Sequence, residues 1–183
     1  MKIFRDQRGF SLVELIVVMA IVVILTAVAF VAVGDNTQRA QLKRSLLDFS
    51  VVMRDMQNSA MTGQMQSGNV PTAYGIYISD QDTYQFFQDL NDNEAWDAGE
   101  TLMSYDLENL VDFDLASFTP SACHATNGCT IISPVPRGTF CYDNDNSSSG
   151  DCDDAANSVE IFFKTSALSD SVIFNTFSGK ISY

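Results

Sequence analysis

Residues 12–33 are apolar at every position except Glu14 and Thr26. At ~1.5 Å of rise per residue this run makes about 33 Å of helix, enough to cross the hydrocarbon core of a bilayer. Gly34-Asp35-Asn36 follows, and because glycine and asparagine are poor helix-interior residues the helix is expected to loosen there. Helical periodicity then returns: Leu42, Leu46, Phe49, Met53, Met56 and Ala60 recur at spacings of three and four and define one apolar stripe. Gln41, Lys43, Arg44, Asp48, Arg54 and Asp55 fall mostly off it, as expected of a helix that docks one side on a sheet and turns the other outward. Met53 and Met56 read as core residues rather than as an adaptable partner face. The helix should end near Thr62-Gly63, where Gly63, Gly68 and Pro71 punctuate the chain.

Beyond Pro71 the pattern changes to short β-type runs at 72–79, 83–88, 101–105, 110–118, 130–133, 138–142, 158–164, 171–177 and 180–183, most of them separated by Asp, Asn, Gly or Ser turns. A long N-terminal helix followed by antiparallel strands is an α+β arrangement. The last two runs flank Ser178-Gly179 and read as a closing hairpin.

Charge adds direction. Lys2, Arg5 and Arg8 precede the apolar run, which by the positive-inside rule keeps the leader cytoplasmic and sends the rest across the membrane. From residue 70 onward 18 acids face 3 bases, Arg137, Lys164 and Lys180. Such a field repels phosphate backbones, so no nucleic-acid partner is expected. The run itself admits an uncleaved anchor, a signal peptide cut after Ala29, or a buried core helix. Glu14 weighs against all three, since an acid in a membrane segment costs free energy, up to ~2.5 to 3.5 kcal/mol at mid-membrane, unless a cation partners it. Cleavage between Gly9 and Phe10 would supply one: the new α-amino group lies one helical turn from Glu14, and a carboxylate from a staggered neighbour would offset the unfavourable amine at the positive end of the helix dipole.

The residues Gln7-Arg8-Gly9-Phe10-Ser11-Leu12-Val13-Glu14-Leu15 resemble the leader junction of type IV pilins and type II secretion pseudopilins. The resemblance is concentrated in residues 7–30. It implies that a prepilin peptidase cuts after Gly9 and methylates Phe10, and that Glu14 aligns subunits during assembly. The chain organisation is then a leader at 1–9, a transmembrane helix at 10–34, a docking helix at 35–62 and a β-rich globular domain at 63–183. The implied partners are the peptidase, other pilin or pseudopilin subunits, an inner-membrane assembly platform and the membrane itself. The implied location is the inner membrane, spanned once with the globular domain outside the cytoplasm, and a filament after assembly. Many members carry a helix-kinking proline that residues 12–34 lack. The closing hairpin resembles that of the H-type minor pseudopilins, a short pattern of low specificity.

All four cysteines, Cys123, Cys129, Cys141 and Cys152, lie in the C-terminal part. In an exported domain an even count reads as disulfides rather than zinc, and the Cys-x5-Cys spacing departs from structural zinc patterns, leaving His124 as an ordinary loop histidine. Three connectivities are possible. Pairing of near neighbours would close two short loops, each worth roughly 2 to 3 kcal/mol in the chain-entropy model.

Asp89, Asn91, Asn93, Asp97 and Glu100 occupy positions one, three, five, nine and twelve of a calcium-loop template, with the Ala95 carbonyl at position seven. The departure is Glu94, where the template has glycine; a left-handed backbone there costs roughly 1 to 2 kcal/mol. The alternative is a solvated acidic turn between two strands. A second acidic stretch, Asp143, Asp145, Asp151, Asp153 and Asp154, has poorer spacing and reads as solvated charge. No Ser-His-Asp, Cys-His, phosphate-loop or two-histidine metal motif is present, and the single histidine supports no triad, so no enzyme is expected. The expected function is a structural minor pilin or pseudopilin. The alternative is a filament-tip adhesion module, for which the loops carrying Trp96 and the cysteine pairs are the candidates.

Overall fold

The computed structural model describes residues 11–63, 70–118, 128–136, 140–143, 158–175 and 178–183. Gly9, Phe10, Cys123, His124, Cys152 and the acidic residues 145–154 lie outside them. Two compact units divide between Thr37 and Gln38.

The first unit holds the opening turns of α1 (Leu12–Thr62). Ser11 starts the helix: its hydroxyl accepts the Val13 N–H at 3.3 Å and its carbonyl accepts the Leu15 N–H at 3.2 Å. Leu12–Ala29 has a mean hydropathy of 3.0, and none of this window is buried, which removes the buried-core-helix alternative. The Thr26 hydroxyl donates back to the Val22 and Val23 carbonyls, both at 2.9 Å, so the one hydroxyl of the segment is satisfied within its own helix. The expected loosening at 34–36 does not occur in the backbone, which stays helical through Gly34, Asp35 and Asn36. Gly costs at most about 1 kcal/mol in a helix interior and Asn less, which the cooperativity of flanking turns absorbs.

The second unit starts with the rest of α1 and, among the described residues, adds nine strands, one for each predicted run: β1 (Ala73–Ile78), β2 (Thr83–Asp89), β3 (Thr101–Asp106), β4 (Asp112–Phe113), β5 (Cys129–Pro134), β6 (Cys141–Asp143), β7 (Ser158–Lys164), β8 (Ser169–Asn175) and β9 (Ile181–Ser182). α1 ends as expected: Gly63 takes the left-handed conformation at φ 58° and donates its N–H to the Ser59 carbonyl at 3.0 Å. These strands form two antiparallel sheets, β3-β2-β1-β5-β6 and β4-β7-β8-β9. Of the run 110–118 only β4 pairs. Leu110 adopts φ 72° and Ser117 folds back onto Asp114, yet Val111, Phe113, Leu115 and Phe118 all bury.

All six stripe residues of α1 are buried, joined by Val52. They pack on Tyr74, Ile76, Ile78 and Tyr84 from one sheet and on Phe113, Ile161, Phe163 and Phe174 from the other. Phe49 sits where these surfaces meet, edge-on to Tyr84, Phe113 and Phe163 at centroid distances of 5.1, 5.8 and 5.4 Å. β1 is buried on both faces. Its second face carries Ala73 and Tyr77 into a smaller cluster with Phe87, Ile132 and Cys141, against which Trp96 packs. Gly75 lies opposite Phe87 in the β1–β2 register, and a side chain at Gly75 would collide with the Phe87 ring.

Candidate functional site

Two groups of sequence-predicted residues come into view. At the N-terminus, Glu14 stands exposed in the first turn of α1, a position where a carboxylate favours the positive end of the helix dipole. The apolar side chains beyond it are exposed along Leu12–Ala29. Its predicted companions Gly9 and Phe10 lie outside the described residues.

The second group is the loop between β2 and β3. The Gln88 N–H donates to the Glu100 carbonyl at 3.1 Å, which closes the base of the loop. Asp89 is fully buried. Its carboxylate gathers the chain: Oδ1 accepts the N–H groups of Asn91 at 3.2 Å and Asp92 at 2.8 Å, and Oδ2 accepts that of Glu94 at 3.0 Å. Asn91 Oδ1 accepts the Asn93 N–H and Asn93 Oδ1 accepts the Ala95 N–H. Asp92 and Glu94 take φ 61° and 54°, so the left-handed turn that the template assigns to glycine forms here on a glutamate. Asp97 Oδ2 receives the side-chain amides of Asn91 at 2.9 Å and Asn93 at 3.0 Å.

Glu100 is 94% buried (6% exposed). Its Oε1 accepts the Leu90 N–H at 2.9 Å, which turns the carboxylate into the loop, while its Oε2 is buried without a hydrogen-bond partner. Burial pushes the Glu100 carboxyl above its ordinary range; the Leu90 N–H opposes the shift, and the nearby Asp89 and Asp97 carboxylates add to it. Among the described residues, no three histidine, cysteine, aspartate or glutamate side chains are gathered as a metal group. The six template residues are therefore in one loop, with asparagine amides rather than further carboxylates around Asp97.

Sequence reasoning missed what holds this loop down. Trp96 stacks flat on Tyr77, with centroids 4.4 Å apart and planes 5° from parallel. Its Nε1 donates to Thr101 Oγ1 at 2.9 Å, and Thr101 in turn donates to Gln85 at 3.0 Å. The loop thus folds back over the outer face of the five-stranded sheet. The available signal was a lone tryptophan inside an otherwise polar acidic stretch. Of the cysteines, Cys129 and Cys141 sit in β5 and β6, and no described cysteine is free.

Residues 4–30 match the family model described as the prokaryotic N-terminal methylation motif. The chain is 46% identical over 79 residues to a fimbrial protein of Neisseria meningitidis, covering 40% of this chain and 42% of that protein. It is 46% identical over 56 residues to the type IV major pilin protein PilE1 of Neisseria gonorrhoeae, covering 31% of each. Over these stretches the chain is similar to type IV pilins. A fimbrial protein of Pseudomonas aeruginosa is 34% identical over 60 residues, 33% of this chain and 39% of that protein. The chain therefore spans about two fifths or less of the length of these relatives, and the methylation motif itself stops at residue 30, ahead of both sheets and the 89–100 loop. No solved structure matches the chain.

Proposed function

We propose that this chain is a structural filament subunit, a minor pilin or pseudopilin, cleaved by a prepilin peptidase between Gly9 and Phe10 and assembled into a type IV pilus or a type II secretion pseudopilus. One observation carries the reading: an exposed apolar segment, Leu12–Ala29, whose only charge is Glu14, inside a match to the methylation motif. A segment such as Leu12–Ala29, none of which is buried within its own chain, calls for lipid before assembly and for neighbouring helices afterwards. Lys2, Arg5 and Arg8 support insertion into the inner membrane with the acidic domain outside the cytoplasm, as a single pass that an assembly platform then draws into the filament. Glu14 then pairs with the α-amino group of a neighbouring subunit's Phe10, a contact that fixes the stagger between helices because neither charge has another partner in an apolar setting.

The same location favours disulfides at Cys123, Cys129, Cys141 and Cys152, in keeping with the absence of a free thiol at Cys129 and Cys141.

Mass spectrometry of the mature N-terminus tests the reading. An N-methylated Phe10 is expected, and a chain beginning at Met1 or Phe30 would refute it. Glu14→Val should leave cleavage intact while incorporation into sheared filaments is lost; normal incorporation would remove the alignment role.

A further inference from the structure

We propose that the 89–100 loop is a calcium site, with oxygens from Asp89, Asn91, Asn93, Asp97, Glu100 and the Ala95 carbonyl. The inference does not rest on the filament reading. It starts from Glu100, whose Oε2 is buried without a partner although the rest of its carboxylate is engaged by the loop backbone. An unpaired buried carboxylate oxygen is strongly unfavourable, and no described donor reaches it. A cation within the loop would supply what it lacks.

The donor set selects the cation. All six groups offer oxygen and none offers sulfur or imidazole, which suits a hard divalent ion. Asn91 Oδ1 and Asn93 Oδ1 each accept one backbone N–H and keep a second lone pair. Asp97 Oδ2 is held by two neutral amides, contacts that a metal ion can displace at little loss. Six or more oxygens on a twelve-residue irregular loop fit calcium; magnesium prefers a tighter octahedron that retains several waters. The backbone needs no further rearrangement at position six, because Glu94 is already left-handed and its N–H already held by Asp89. The bound ion would fasten the loop, and with it Trp96, over the outer face of β1 and β2.

The full chain, purified in detergent micelles and stripped with a chelator, is titrated with Tb3+ while Trp96, its single tryptophan, is excited. Sensitised emission should appear and be displaced by Ca2+ with a midpoint of about 0.1 to 1 mM, the range of extracellular calcium modules. Mg2+ at the same concentrations should leave it in place. Glu100→Gln should weaken Ca2+ competition about tenfold or more, a loss of ~1.4 kcal/mol or more. Asn91→Ala, at an exposed position outside the core, should do the same if Glu100→Gln misfolds. Absence of Ca2+-displaceable emission would overturn the site, equal displacement by Mg2+ would overturn calcium as its occupant, and indifference to both substitutions would overturn the ligand assignment.

Discussion

Replacing Phe49 by alanine tests whether one side chain joins the helix to both sheets. Phe49 is fully buried, and its ring meets Tyr84 of β2, Phe113 of β4 and Phe163 of β7 edge-on. Truncation removes a large apolar group and leaves a cavity walled by strands whose register prevents collapse, which for Phe→Ala costs about 3 to 5 kcal/mol. Aromatic pairs add about 0.5 to 1.5 kcal/mol each beyond area, although three pairs sharing one ring are not additive, so the upper half of that range, about 4 to 5 kcal/mol, is expected. Set against the roughly 5 to 15 kcal/mol of a typical domain, this is about a quarter or more of the total. Denaturant unfolding of the full chain in mild detergent, followed by Trp96 fluorescence so that the apolar N-terminal segment does not contribute, should show a lower midpoint at unchanged slope. Leu47, two residues away on the exposed side of α1, is the control: Leu47→Ala should cost less than about 0.5 kcal/mol. A Phe49→Ala loss below about 1 kcal/mol, or an equal loss at Leu47, would refute the joint.

Two further substitutions bear on the sheets. Gly75→Ala would push a methyl group into the Phe87 ring and towards the Ile131 carbonyl, costing about 1 to 3 kcal/mol by the same unfolding assay; a neutral result would mean that Phe87 has room to turn. Asp114 is held below its ordinary value of 3.8 by the Ser117 hydroxyl, at 2.7 Å, and by Lys164, at 3.1 Å. Because its folded pKa is depressed, its contribution is fully present above the ordinary carboxyl value and is lost as pH falls through the lower folded one. The thermal midpoint gap between wild type and Asp114→Asn should therefore be constant near neutrality and close as pH drops below about 4. The effect should be modest, since Lys164 and Asp114 are both partly exposed, and a gap that widens in acid would reverse the sign.

Much of this was legible in residue patterns. The α1 stripe from Leu42 to Ala60, its stop at Gly63 and all nine strands followed from local periodicity and turn residues, because a buried face repeats along its own segment whatever it is buried against. The run at 110–118 shows where that logic thins. Its apolar residues bury as predicted, yet burial does not require a ladder, and Leu110 with a positive φ and the Asp114–Ser117 turn leave only two residues paired. Glu94 makes a similar point from the other side. Residue identity argued against a left-handed turn, and three backbone N–H groups converging on Asp89 impose it.

By itself, then, the sequence determined the apolar segment with its single acid, the docking stripe, the order of strands and the template spacing of the 89–100 loop. All of these are short-range properties of a linear chain. Only the tertiary structure decided that the strands divide into two sheets, since pairings such as Gly75 with Ile132 join segments far apart in the chain. Only it decided that Trp96 lies on Tyr77 and that Glu100 is buried with one oxygen unmatched. Burial and partnership belong to pairs of segments, and a carboxylate acquires an unmet need only once the fold has removed it from water.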